Sequence, residues 1–155
     1  MNTTDFQTFL LKSAIAMMAC DSSIDDEEIA EIEKMINNEI YFMGFDYKKP
    51  FEDILKYIKS KGNIAINDYL DELSLLDLNE KQEIRLIEVL IRTIESDKKV
   101  ENNEIKFLQR VKSKLGIKTE RIISLFPKQI SYLIDLDSYE LNGKFMNEIN
   151  FLQRD

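Results

Sequence analysis

One pattern occurs twice in this chain, in register and without a gap. Residues 14–36 read AIAMMACDSSIDDEEIAEIEKMI, and residues 90–112 read LIRTIESDKKVENNEIKFLQRVK. Aligned, they pair Ile15 with Ile91, Asp21 with Asp97, Ile24 with Val100, Asp25 with Glu101, Glu28 with Glu104, and Ile32 with Leu108. Each copy is an apolar helix end, then Asp-x-x-[Ile/Val]-x-x-x-Glu, then an amphipathic helix. A unit of this kind cannot bury its apolar stripe alone, and two copies bury theirs by packing together. The expectation is an all-α fold: a compact helical bundle of about seven to eight helices with internally duplicated helix–turn–helix units.

The rest of the chain agrees. Thr4 is placed to cap a first helix running to about Cys20, apolar all round in its last turns and hence buried on several sides. Asp25 caps the second helix, with Glu28 at the capping-box position. The aromatic cluster Tyr41, Phe42, Phe45 and Tyr47 interrupts the pattern. Further helices are predicted over Pro50–Lys61, Asn67–Leu76, Glu80–Ser96 (capped by Asn79), Asn102–Leu115 (stopped by Gly116) and Thr119–Phe126. Residues 129–134 and 139–152 also have helical periodicity, the latter with Phe145, Met146, Ile149 and Leu152 on one face. No low-complexity linker divides the chain, so residues 1–155 are expected to form one domain.

Four Gly and two Pro are too few for a many-stranded sandwich. A formal charge of −8 and the lack of a basic stripe argue against nucleic acid. Cys20, the single cysteine, cannot form an intramolecular disulfide; within an apolar run it reads as a small buried residue in a reducing compartment. The start, MNTTDFQTFLLKS, lacks the basic flank and long apolar core of a secretory signal, and the apolar run Ala14–Cys20 is too short to span a bilayer. A cytoplasmic location without direct membrane insertion is expected.

The repeated acids admit two readings. In the first they are helix-corner devices: Asp closes one helix, Ile or Val plugs the gap under the turn, and Glu reaches back to a free N–H of the next helix. In the second they bind metal. The back half of an EF-hand loop has the same spacing, but placing Ile24 at its eighth position puts Met17 and Ala19 at the first and third, where oxygen ligands are required. The second copy offers Thr93 and Glu95 there, and Lys98 in place of the turn Gly. An EF-hand is excluded. A looser site is not: if the hairpins pack about a pseudo-two-fold axis, Asp21, Glu28, Asp97 and Glu104, with Asp25 and Glu101 beside them, supply hard oxygen ligands for Ca²⁺ or Mg²⁺.

The repeat resembles the TerB-like family of tellurite-resistance and chemical-stress proteins, whose helical bundle is internally duplicated. The matching segments are ACDSSIDDEE at Ala19–Glu28 and SDKKVENNE at Ser96–Glu104, with Leu75–Asn79 before the fifth helix and Leu115–Ile117 after the sixth. The resemblance covers about residues 5–126 and leaves 128–155 as a C-terminal helical extension. The residue before each Asp, alanine in the family, is Cys20 and Ser96, and the following glycine is Ser22 and Lys98. What the resemblance implies is a stress-linked binding or scaffold module associated with a membrane-bound complex, with positions Asp21, Glu28, Asp97 and Glu104 as the ones that matter. The same module also occurs fused to other domains, including a co-chaperone's, so fold alone leaves the role open.

No enzyme is expected. There is no His, no Gly-rich phosphate loop, and no nucleophile with an evident base. A carboxylate-dependent enzyme is the lesser alternative. The other is a protein-interaction or self-association domain in which the Asp/Glu motif only caps helices; residues 41–47 and 145–152 are its candidate contact surfaces, unless they simply cover the core.

Overall fold

The computed structural model describes residues 1–20, 24–96 and 101–134. Among them are eight α-helices and no strands: α1 (Thr3–Ala19), α2 (Asp26–Asn38), α3 (Lys48–Lys61), α4 (Asn63–Leu75), α5 (Glu80–Ser96), α6 (Asn102–Ser113), α7 (Thr119–Leu125) and α8 (Ile130–Leu133). Single 3₁₀ turns lie at Ile40–Phe42 and Pro127–Gln129. The duplicated units are α1–α2 and α5–α6.

Helix α1 is the axle of the bundle. Leu10, Leu11, Ala14, Ile15, Ala16 and Met17 have no solvent exposure, because α5, α3, α4, α6 and α2 all pack around it. Its uniform apolarity is therefore explained by neighbours on several sides rather than one. Helix α5, the first helix of the second copy, is its main partner and buries Leu86, Ile87, Leu90 and Ile94. An aromatic stack crosses the interior: Phe9 lies 5.3 Å from Tyr69, and Tyr69 lies 5.6 Å from Phe107, joining α1, α4 and α6. The Ser13 hydroxyl donates to the Phe9 carbonyl at 2.7 Å, so the fully buried Tyr69 hydroxyl, 2.6 Å away, donates to Ser13. Burial pushes the Tyr69 phenol well above its ordinary pKa.

Several helix ends differ from the sequence expectation, each for a local reason. Asn2, not Thr4, caps α1: its Oδ1 accepts the Asp5 N–H at 2.7 Å. Helix α3 starts at Lys48, with Pro50 inside its first turn, where a missing N–H costs nothing. Helix α4 starts at Asn63 rather than Asn67, because Gly62 alone, at φ +56°, reverses the chain between α3 and α4. Helix α5 begins where expected, and Asn79 and Gln82 form a reciprocal capping box at 2.9 and 3.0 Å. Helix α6 ends at Ser113, before Leu115. Gly116 is no left-handed stop; the positive-φ glycines among the described residues are Gly44 and Gly62. The expected helix at 129–134 is the 3₁₀ turn Pro127–Gln129 followed by α8. The expected helix at 139–152 lies outside the described residues.

The aromatic segment after α2 covers the core. Phe42 and Phe45 are buried, and Tyr41 and Tyr47 are half-buried. The buried Gln7 side chain of α1 pins this turn, donating to the carbonyls of Tyr41 and Met43 at 3.1 and 3.2 Å. No helix among the described residues is long and apolar enough to cross a membrane.

Candidate functional site

The two Asp/Glu corners sit where α1 meets α2 and where α5 meets α6. In the first, Asp25 adopts the extended N-cap backbone, and its Oδ1 accepts the Glu28 N–H at 2.8 Å. Glu28 reaches back, and its Oε1 accepts the Asp25 N–H at 3.3 Å. This is the reciprocal capping box expected from the spacing. Four carboxylates in one turn (Asp25, Asp26, Glu27 and Glu28) face the partial positive charge of the α2 N-terminus. Ile24, just before the cap, is buried, as the plug role requires.

The second corner is built differently. Glu101 also has the extended N-cap backbone, but its side chain makes no capping hydrogen bond. The Glu104 N–H bonds instead to the Glu101 carbonyl at 3.1 Å. The Glu104 carboxylate is turned inward and is only 4% exposed. A buried carboxylate is stable only when its surroundings compensate its lost hydration, so this position is not a generic surface acid.

The corners share one end of the bundle. Cys20, the last residue before the first corner, has its Sγ 2.8 Å from the Met17 carbonyl oxygen and 3.4 Å from that of Asn103, in the first turn of α6. Cys20 is half-buried rather than enclosed, because it sits at this junction. Asp21 and Asp97, the leading acids of the two motifs, lie outside the described residues. Of the remaining four candidates, Asp25 is exposed, Glu28 and Glu101 are half-buried, and Glu104 is buried. Among the described residues, no three Cys, Asp or Glu side chains gather closely enough to hold a metal ion. The donor type is nonetheless that of hard cations, all carboxylate oxygen.

Two charged clefts flank α5. One, about 260 Å³, lies between α2 and the end of α5 and is lined by Glu31, Lys34, Met35, Glu39, Arg92 and Glu95. Arg92 bridges Glu39 at 3.2 Å and Glu88 at 3.5 Å. Glu88 also pairs with Arg85 at 2.8 Å, and Arg85 lies over the Tyr41 ring at 4.9 Å. Burial, reinforced by Glu39 and Glu88, raises the pKa of the Tyr41 phenol well above its ordinary value.

The second cleft, about 350 Å³, opens between the start of α5 and the α6–α7 loop. Here Glu83, only 8% exposed, accepts the Gly116 N–H at 2.7 Å, and Glu80 pairs with Arg121 at 2.9 Å. Glu83 is not among the acids of the repeated motif. Its one signal was an acid on the inward stripe of α5, which is read as buried only once its partner is known. A Cβ at Gly116 would meet the Glu83 carboxylate at 3.7 Å, an ordinary contact, so the backbone N–H rather than the missing side chain fixes this residue's role.

Comparison with known proteins adds one assignment. A family model described as Tellurite resistance protein TerB matches residues 8–126, close to the span from which the resemblance was drawn. No curated protein and no solved structure matches the chain. The match covers both duplicated units and the connection between them, and ends just before the Pro127 turn. The chain belongs to the TerB tellurite-resistance family.

Proposed function

We propose that this protein is a non-catalytic, cytoplasmic binding module of the tellurite-resistance type, whose twin acidic corners take up a divalent cation. The observation that carries this reading is the contact of Cys20 with Asn103, which sets the end of the first motif's leading helix against the start of the second motif's trailing helix. With the corners at one end, Asp21, Glu28, Asp97 and Glu104 are the ligands, with Asp25 and Glu101 available beside them. Oxygen-only donors select Ca²⁺ or Mg²⁺, with water completing the shell. Bound metal would supply charge neutralisation at the corners and a cross-link between the two units, and its occupancy would signal to a protein partner in a stress-response complex.

Calorimetric titration of the full chain with Ca²⁺, Mg²⁺, Mn²⁺ and Zn²⁺, repeated on Asp21→Ala and Asp97→Ala, tests this. Saturable heat that either substitution abolishes supports the shared site. No heat, or heat indifferent to both, removes it.

A second reading has its own observation. The Asp25–Glu28 capping box engages the first corner's acids with the α2 backbone. On that reading the motif shapes a protein-interaction scaffold without metal. The same variants would then lower thermal stability while no cation raised it.

A further inference from the structure

The chain's acidity is unevenly spread. Residues 105–134 contain seven Lys or Arg against a single acid, Glu120, within a protein of net charge −8. Against the expectation of no basic stripe, the exposed cations of this stretch make one. Lys106 and Arg110 on α6 and Lys114 at its C-cap recur every four residues, so they form a row about 12 Å long. All three are exposed, opposite the buried Phe107, Leu108 and Val111. Lys118, Arg121 and Lys128 continue the charge through α7 and the Pro127 turn, and all are exposed. Among the described residues only Arg121 of these six has an ion-pair partner, Glu80.

Two exposed aliphatic side chains are interleaved with these cations: Leu125, 38% exposed, and Ile130, 45% exposed. Helix α8 packs on both α6 and α7, which joins the three helices in one layer. Basic residues at a helix C-terminus also favour the helix dipole, which accounts for Arg110 and Lys112. It does not account for Lys106 in mid-helix, for Lys118 and Lys128, or for the solvent-facing Leu125 and Ile130.

We infer that the α6–α8 layer is a peripheral docking surface for an anionic lipid bilayer. Cations paired with short aliphatics are the combination such a surface selects: phosphate headgroups attract the Lys and Arg side chains, and the acyl boundary takes the Leu and Ile. A single-stranded nucleic acid would reward exposed aromatics for stacking, but Phe126 and Tyr132 are half-buried and packed against the core. A duplex would leave the exposed Leu125 and Ile130 without a use. A second copy of the chain would offer its acidic α2 start, where Asp25, Asp26 and Glu27 are exposed but no large apolar side chain is, leaving Leu125 and Ile130 unmatched. The acidic remainder of the protein does not forbid binding, because charges beyond a Debye length of about 8–10 Å are screened.

Co-sedimentation of the full chain with vesicles tests the inference. Vesicles of phosphatidylcholine with roughly one third phosphatidylglycerol should bind it, and pure phosphatidylcholine vesicles should not. Raising NaCl from about 0.05 M to about 0.5 M should release it. The combined variant Lys106→Gln, Arg110→Gln, Lys114→Gln should lower partitioning roughly a hundred-fold, since each cation near an anionic surface contributes about five-fold. Leu125→Ser with Ile130→Ser should weaken binding further while leaving its salt dependence intact. All five sites are exposed, and circular dichroism of each variant is the check that it folds. Equal binding to neutral vesicles, no binding to anionic ones, or an unaffected triple variant overturns the proposal. So does tighter binding to a duplex oligonucleotide of equal phosphate content, or sedimentation of the protein alone as a salt-sensitive oligomer.

Discussion

The first and second acidic corners have the same spacing and different physics. At the first, the Asp25 and Glu28 side chains turn back onto the α2 backbone and close a capping box near the surface. At the second, Glu101 leaves its capping site to backbone alone, and Glu104 points into the protein at 4% exposure. Duplication preserved where the acids stand in the chain but not what their oxygens touch. A motif repeated in register therefore fixes helix boundaries more firmly than side-chain roles. The reason is packing: α6 joins the aromatic stack through Phe107 and packs against α1, α4, α5 and α8, whereas α2 packs mainly on α1 and the following turn. In the first turn of α6 Glu104 is therefore drawn inward, whereas the first turn of α2 leaves Glu28 near the surface.

The largest effect separating the halves is expected at alkaline pH. The first half holds the fully buried phenol of Tyr69 and the half-buried one of Tyr41, each with its pKa raised chiefly by burial. In the unfolded chain they ionise near pH 10. Because the folded values are raised, their contribution to stability is complete below about pH 10 and is lost as pH climbs from there toward the folded values. Far-UV melts should be flat up to about pH 9.5 and drop steeply above pH 10. Tyr69→Phe should soften the drop, and an unchanged slope would sink this account.

Glu104→Ala should follow, costing about 2–3 kcal/mol in urea unfolding, since it empties a buried polar position and strands its surroundings. A cost under about 0.5 kcal/mol would show that the inward Glu is not part of the packing. Asp25→Ala should cost about 1 kcal/mol through loss of the cap. Glu101→Ala, with no side-chain cap to lose, should stay within about 0.5 kcal/mol. Equal costs at Asp25 and Glu101 would abolish the distinction drawn between the corners. Smallest of all, Arg121→Ala should cost only a few tenths of a kcal/mol, because its bridge to Glu80 is about half exposed on both sides.

Much of the helical order was legible beforehand. The α5 boundaries, the Asp25 and Asn79 caps, the buried Ile24 and the all-round burial of α1 follow from periodicity and capping chemistry within a few residues. Misplaced ends had competing local signals. Asn2 and Thr4 are both good caps, and Gly62 reads as a stop although it also starts the next helix. Of the candidate site, the spacing of the acids was legible. The inward turn of Glu104, the contact of Cys20 with Asn103 and the solvent exposure of the cationic row were not.

By itself, then, the sequence determined that this chain is a duplicated set of helices with acids at two corners, because helix formation and capping are decided between residues three or four apart. Only the tertiary structure decided which polar side chains turn inward. Gln7 finds the carbonyls of Tyr41 and Met43, Glu83 finds the Gly116 N–H, and Ser13 finds Tyr69, all across long stretches of chain. Burying such groups is tolerable only with a partner in place, and that partner is supplied by packing, not by neighbours in sequence.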